Sequence, residues 1–184
     1  SAGFSIRGLQ FLSEQFRTRD LHKYYMALVA GCVTRQQKLK GYLYKDEKQK
    51  SRVHETLEEF PEHLKKDALA IETVYEPVAS TKQATLLKVL LVTGRSHQIR
   101  AHLSSINHPI IGYTNDGDSS INEQFRKKAG TKRQLLHAYE MVFPVCEDIF
   151  HIVPKSFQAP LPNDFLKAME YAKIMTGRSI IDSS

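Results

Sequence analysis

Along Lys23–Gly31 (KYYMALVAG), Tyr24, Met26 and Leu28 alternate with Tyr25, Ala27 and Val29, so neither side of the segment is strongly polar. A strand with two apolar sides belongs inside a sheet covered on both faces, and its alternation sends Tyr25 to one definite face. Ahead of it, Phe4, Leu9, Leu12 and Phe16 fall near helical spacing with Ile6 on the flank, which predicts a helix over Ser5–Thr18. A short strand around Gly41–Tyr44 runs into the polar turn KDEKQK, the pattern of an exposed hairpin tip, and the acidic stretch after it reads as a solvated connection. Ala68–Val78 and Ala84–Thr93 are rich in β-branched and aliphatic residues around the turn ASTKQ, predicting an antiparallel pair. Gly94 then marks a change to helical spacing: Ile99, Leu103 and Ile106 form a stripe on a helix expected over Arg95–Ile106. A loop over Asn107–Asp118 follows, with Ser119 or Ser120 as cap of a short helix through Lys128. Gln134–Phe143 and Asp148–Val153 read as a strand pair broken by Pro144. The chain closes on a helix with Asp164 near its start and Phe165, Met169 and Ala172 on one side, ending before Gly177. Strands predominate and do not alternate with helices as βαβ units, so the expected class is α+β, with a mixed, largely antiparallel sheet flanked by helices.

Composition narrows this picture. A chain of 184 residues with 41% hydrophobic content fills one core, so residues 1–184 are expected to form a single domain. A quarter of the residues are charged and no apolar run approaches the ~20 residues that cross a bilayer, so no membrane partner is expected. Two cysteines, Cys32 and Cys146, allow at most one disulfide, and no charged and apolar leader opens the chain; a reducing cytoplasm is the expected location.

Charge adds a direction. The net charge is +6 and the pI near 9.3, which suits a polyanionic partner. Arg35–Arg52 carries seven basic residues against two acidic, and Arg126–Arg133 carries five basic and none acidic. Between them His54–Glu76 carries seven acidic against two basic. Such segregation gives either positive faces or ordinary solvated loops, and charge alone leaves both open.

The densest set of hydrogen-bond donors is TGRSHQIRAH, Thr93–His102, at a strand-to-helix junction, with Arg95, His97, Gln98, Arg100 and His102. On the predicted helix Arg95 and Gln98 share a face, and the first-turn amides favour an anion. The alternative is a polar, capped helix whose histidines pair internally. His97 and His102 are five apart, no HExxH or Cys–His array accompanies them, and neither cysteine has a CxxC partner, so no metal site is expected. No GxSxG or phosphate-cradling glycine loop occurs. A second cluster, KRQLLHAYEMVFP, joins a basic entry to an apolar strand on which Leu136 and His137 face opposite sides, one of them toward a core or cleft.

Taken in order, these segments resemble the RluA-type RNA pseudouridine synthases, which isomerise uridine in ribosomal or transfer RNA. KYYMALVAG is similar to that family's tyrosine motif, LLVTGRSHQIRAHLSSINHPIIG to its arginine motif, KRQLLHA to its leucine-histidine motif and QAPLPNDF to its C-terminal signature, over Ile6–Met175. The resemblance implies that Tyr25 packs at the target base, that Arg95 holds the catalytic aspartate by an ion pair and that Leu136 lines the uracil face. It implies that Gln98, Arg100 and His102 belong to the supporting helix and reach toward the RNA backbone. Arg126, Lys127, Lys128, Lys132 and Arg133, the basic run entering the Leu136 strand, are expected to bind phosphates. The implied partner is RNA, and neither a metal nor an organic cofactor is called for; the oligomeric state is left open.

Two departures qualify the resemblance. The family carries its aspartate in an HRLDxxTxG motif, and no such segment stands in this sequence. The nucleophile is therefore expected upstream of Ser1, and the chain, read as an N-terminally truncated catalytic domain, is expected to be inactive alone. In GYTNDGD, Tyr113 stands where the family's GDxxYG-like loop has Asp, and Asp116 where it has Tyr. A non-catalytic RNA-binding module is the competing reading. An acid–base enzyme built on His97, His102 or His137 rests on residue type alone.

Overall fold

A computed structural model of the chain describes residues 22–114, 117–142 and 156–174. Among these, seven strands form one sheet in the order β3-β2-β4-β5-β1-β6-β7. They are β1 (His22–Ala30), β2 (Gln37–Lys45), β3 (Ser51–His54), β4 (Leu69–Ser80), β5 (Ala84–Leu91), β6 (Leu136–Val142) and β7 (Ser156–Gln158). Every neighbouring pair is antiparallel, so the expected mixed character is absent among the described strands. Four helices accompany them: α1 (Glu62–Lys65), α2 (Gln98–Ser105), α3 (Ser119–Ala129) and α4 (Asn163–Tyr171). None is long and apolar enough to cross a membrane.

The two apolar sides of β1 explain the layering. Met26, Leu28 and Ala30 pack with Leu86, Phe125, Phe165 and Met169 on the face covered by α3 and α4. Ala27 and Val29 pack with Leu87, Val89, Ile99 and Leu103 on the face covered by α2. Each helix contributes an apolar stripe, and burying both faces of the central strand removes water from the sheet's middle.

Beyond the start of β6, the segment Pro109–Ile111 runs beside β1. Ala30 N donates to Pro109 O at 2.9 Å and Ile111 N to Leu28 O at 2.9 Å, while Leu135 N donates to Ile111 O at 2.9 Å. Gly112 closes this seam with φ +89°, and a Cβ there would stand 2.1 Å from Arg133 O, so only glycine fits.

Several boundaries differ from the sequence expectation. The Gly41–Tyr44 strand extends over Gln37–Lys45 because it pairs with β4 along one edge as well as with β3 along the other. The acidic connection is not wholly solvated: Phe60 is buried and meets Tyr44 and His54 edge-on. The cap of α3 is Asp118, whose carboxylate accepts from Ser120 N and Ile121 N, rather than either serine. The helix expected over Ser5–Thr18, the strand over Asp148–Val153, Asp116 and Cys146 lie outside the described residues. Among the described residues β6 pairs with β1 on one side and with β7 on the other.

Phe165 is fully buried between α4 and the sheet. Phe165→Ala is expected to lower the unfolding free energy by about 3–5 kcal/mol through lost transfer energy and the cavity left behind. A urea titration showing a lower midpoint at unchanged slope checks this.

Candidate active-site cleft

The face of the sheet that carries α2 also carries Tyr25. Lys23 and Tyr25 on β1 pair with Leu91 and Val89 on β5, and on the other side Tyr25 and Ala27 pair with Ala138 and Leu136 on β6. Cross-strand partners share a face, so Leu136 lies beside Tyr25, and β5 delivers the turn 92–97 to the same edge. A cleft of about 320 Å³ opens there, lined by Lys23, Tyr25, Arg95, His97, Arg100 and Leu136 among others. Three segments far apart in sequence thus place Tyr25, Arg95 and Leu136 on one cavity. His137 points elsewhere, with Nε2 3.1 Å from Ala159 O.

The turn is fixed by Gln98, which is buried at the start of α2. Its Oε1 accepts from Thr93 Oγ1 at 2.8 Å and from Arg95 N at 3.1 Å. Its Nε2 donates to Glu72 O at 2.9 Å and to Thr73 Oγ1 at 3.0 Å. These bonds pull the chain into a turn before the helix starts, and His97 takes the left-handed conformation (φ 61°, ψ 13°). The helix therefore begins at Gln98 and not at Arg95, so Arg95 and Gln98 do not share a helical face.

His102 is buried one turn further, with Nδ1 2.8 Å from Thr73 Oγ1. That hydroxyl also accepts from Gln98 Nε2, so strand β4 holds both side chains of the helix at one oxygen. Burial in the same place lowers the His102 pKa to about 4. Gln98 and His102 are consequently internal supports, which corrects the expectation that they reach RNA.

The cations are disposed unevenly. Arg95 lines the cleft, and among the described residues its Nε is buried with no hydrogen-bond partner. Arg100 donates from Nε to Gln134 Oε1 at 2.6 Å and meets His97 Nδ1 through a second nitrogen. The His97 pKa is lowered by burial and by the charges of Arg100 and Lys45, so the end of β2 is close enough to act on the cleft. Neither Lys45 nor Gln134 was singled out by its sequence context; the one signal for Lys45 was the basic character of Arg35–Arg52.

The basic run divides. Arg126, Lys127 and Lys128 stand on α3, which packs on the opposite face of the sheet from the cleft, and Glu123 pairs with Arg126 at 2.5 Å and Lys127 at 3.4 Å. Arg133 makes a two-pronged pair with Asp164 at 2.6 and 2.9 Å. Lys132 is exposed on the connection that enters β6. The expectation of one phosphate-binding segment leading into the cleft is therefore corrected for residues 126–128 by their place in the fold.

An antiparallel α+β sheet that gathers a tyrosine, a leucine and a half-buried arginine with an unpartnered Nε is suited to hold a flat polar ring beside an anion. Residues 4–105 match the family model described as RNA pseudouridylate synthase, and the chain belongs to that family, in its RluA-type branch. It is 32% identical over 143 residues to an uncharacterized RNA pseudouridine synthase of Helicobacter pylori strain J99, covering 78% of this chain and 52% of the relative. It is likewise 32% identical over 139 residues to tRNA pseudouridine synthase C of Vibrio vulnificus, covering 70% of this chain and 54% of the relative. The chain thus spans about half the length of the curated relatives it matches. The fold is similar to that of human RNA pseudouridylate synthase domain containing 4, with a TM-score of 0.67 and 19% identity over 94% of this chain and 70% of that one. It is also similar to that of human RNA pseudouridylate synthase domain containing 1, with a TM-score of 0.60 and 15% identity over 94% and 74%.

The buried neutral His102 makes a pH prediction. Its ordinary pKa near 6.5 is regained on unfolding, so between pH 6.5 and about 4 the unfolded chain binds a proton that the folded chain does not. Its share of stability is intact above pH 6.5, is lost as the pH falls, and changes no further below about 4; the slope approaches ~1.4 kcal/mol per pH unit. In urea titrations at pH 7, 5.5 and 4.5, His102→Asn is expected to be less stable at pH 7 but to lose less on acidification.

Proposed function

We propose that this chain forms the uridine-holding part of an RNA pseudouridine synthase, acting in the cytoplasm on ribosomal or transfer RNA. The observation that carries the reading is the meeting of Tyr25, Arg95 and Leu136 on one cleft, with the Arg95 Nε buried and unpartnered among the described residues. A uracil taken out of its stack has an apolar face for Leu136 and a ring face for Tyr25. Arg95, fixed from below by Gln98, presents a guanidinium suited to a carboxylate.

The reaction is an isomerisation. The bond from ribose C1′ to uracil N1 breaks, the base turns, and C1′ joins C5; the C5 proton leaves and N1 gains one. Nothing is oxidised, reduced or transferred to a co-substrate. The step needs a carboxylate as nucleophile or base, and the aspartate motif that supplies it in the family does not occur in this sequence. In this reading the aspartate comes from beyond these 184 residues, and Arg95 positions it; the chain by itself binds RNA without turnover. A non-catalytic RNA-binding role is the second reading, favoured by the same missing motif.

Tritium release from RNA labelled at uridine C5 separates the two. A protein extended through an upstream aspartate motif is expected to release tritium, and its Arg95→Met variant to be slower by at least ~10²-fold, the scale on which removing one electrostatic partner acts. Release by a verified 184-residue chain would contradict the proposed role of an external aspartate. No release by the extended form would favour the binding module.

Phosphate contacts are expected on the cleft side. Lys45→Gln should reduce the slope of log affinity against log salt by about 0.7 to 0.9, one phosphate contact's worth. Lys127→Gln with Lys128→Gln, on the far face, should leave it nearly unchanged. Nitrocellulose filter binding from low to moderate salt reads both.

A further inference from the structure

A second cavity, of about 190 Å³, opens where β1, β6 and β7 run side by side, and it shares Lys23 and Tyr25 with the cleft. The uridine reading above makes no use of the rest of it.

Strand register decides which side chains face it. Lys23 pairs with Leu91 on one side and with Met141 on the other, Met141 pairs with Phe157, and Tyr25 pairs with Ala138. Cross-strand partners share a face, so Ala138, Met141 and Phe157 stand on the same side of the sheet as Tyr25 and the cleft. Phe157 keeps 40% of its surface exposed. The register shifts between Tyr24 and Tyr25, so Tyr139 and Glu140 both fall opposite Tyr24, and Ala138 and Met141 become successive residues on the cleft side.

The polar groups of this corner are turned to the other side and engaged there. Lys88 Nζ lies 4.6 Å from the centre of the Tyr24 ring and 3.5 Å from Glu140 Oε1, and Gln158 Nε2 donates to Glu140 Oε2 at 2.5 Å. Tyr139 is buried in the core under α3 and α4. The cleft side is left with a shelf made of an aromatic ring, a thioether and a methyl group. It runs from Tyr25 to β7, and the ammonium of Lys23 stands at its junction with the cleft.

The chemistry of the shelf selects its occupant. A sugar or a phosphate needs hydrogen-bond partners, whereas a nucleobase offers a π face to a ring and to a sulfur. Taking a uridine out of its stack bares the face of the adjoining base, and an apolar shelf continuous with the cleft covers that face again. The phosphate joining the two nucleotides then passes Lys23. The carboxylate of Glu140, on the far side and held by Lys88 and Gln158, does not oppose it.

We propose that this shelf is a stacking subsite for the nucleobase next to the target uridine, with Met141 and Phe157 as its floor and Lys23 at the linking phosphate. The proposal rests on the reading of the cleft as the uridine site. Among the described residues Lys23 is the one charged side chain on this side of the shelf, so the subsite accepts any base and holds the larger purines better. Phe157 is then a binding residue with no part in the chemistry.

The test uses the 184-residue chain and short single-stranded RNAs with one central uridine flanked by adenosines, read by fluorescence anisotropy. An abasic residue on one side of the uridine is expected to weaken binding about tenfold, the scale of one stacked base, and an abasic residue about four positions away to leave it unchanged. Guanosine at the neighbouring position should serve as well as adenosine, and cytidine less well. Phe157→Ala should cost about as much with the intact RNA and nothing further with the abasic one, while Phe157→Tyr keeps the affinity. An unchanged thermal midpoint shows that Phe157→Ala is folded; where it is not, the abasic series on the unaltered chain and Phe157→Tyr decide. Uridine-dependent binding that ignores both neighbours, or an abasic penalty undiminished in folded Phe157→Ala, overturns this proposal and leaves the uridine site standing. Unchanged RNA affinity with loss of self-association in Phe157→Ala gives the shelf to a second copy of the chain and likewise overturns it. Binding that persists unchanged when the central uridine becomes cytidine overturns the uridine site, and this proposal with it.

Discussion

The side-chain amide of Gln98 uses all its hydrogen-bonding positions to hold together two parts of the chain, the Glu72–Thr73 stretch of β4 and the turn that carries Arg95. An amide has two acceptor sites and two donors, and here each has a partner, so the side chain has one orientation. Thr93 completes the arrangement, since its hydroxyl accepts from Glu72 N at 3.0 Å and donates to Gln98. Replacing the amide by an apolar group would leave several buried groups unpaired, each costing about 1–3 kcal/mol. The position of Arg95 is thus a property of the interior, set by a sheet strand more than twenty residues earlier.

A second link joins the cleft's walls. Gln134, two residues before Leu136, accepts from Arg100, and Arg100 meets His97, which the Gln98 turn holds at a positive φ. A non-glycine residue in that region costs of order 1 kcal/mol or more, and such strain persists where surrounding bonds over-determine it. Here they do: α2 starts immediately after His97, and Ala101 N donates to His97 O at 3.0 Å. The strand bearing Leu136 and the turn bearing Arg95 are therefore coupled through side chains rather than backbone, which keeps two walls from separate motifs in register.

How much of this was legible in the sequence follows from where each determinant lies. The central strand announced itself because both of its faces are apolar, and α4 because Phe165, Met169 and Ala172 recur at helical spacing. The three residues of the cleft were legible through motifs, and local pattern put Tyr25 on one definite face. The start of α2 was misread because Gly94 marked the end of the strand, whereas the turn is imposed by Gln98 bonds to Glu72 and Thr73. Gln98 and His102 looked like outward donors for the same reason: a polar residue on a helix is usually solvated, and only the packing of β4 shows otherwise. Local sequence likewise says nothing about which face of the sheet a basic helix covers, so Arg126, Lys127 and Lys128 joined a cluster in sequence that the fold separates.

The unpartnered Nε of Arg95 distinguishes the cleft from ordinary imperfections of packing. Four buried polar side-chain atoms lack a hydrogen-bond partner among the described residues: Glu72 Oε1, Arg95 Nε, Ser104 Oγ and Thr131 Oγ1. Glu72 Oε1 still has the Lys38 ammonium 2.6 Å away, so its charge is compensated even without hydrogen-bond geometry. Ser104 and Thr131 are neutral hydroxyls, for which the cost is modest. Arg95 alone combines a permanent charge, a buried donor and an opening onto a cavity, an arrangement that weakens the fold unless an anion completes it. Breaking a packing rule at one place, while the amide beneath it satisfies every bond, is the pattern of a site built around a ligand group. A carboxylate at that position would satisfy this corner of the fold and, in the proposed reaction, would bring the reacting group to the cleft through the same contact.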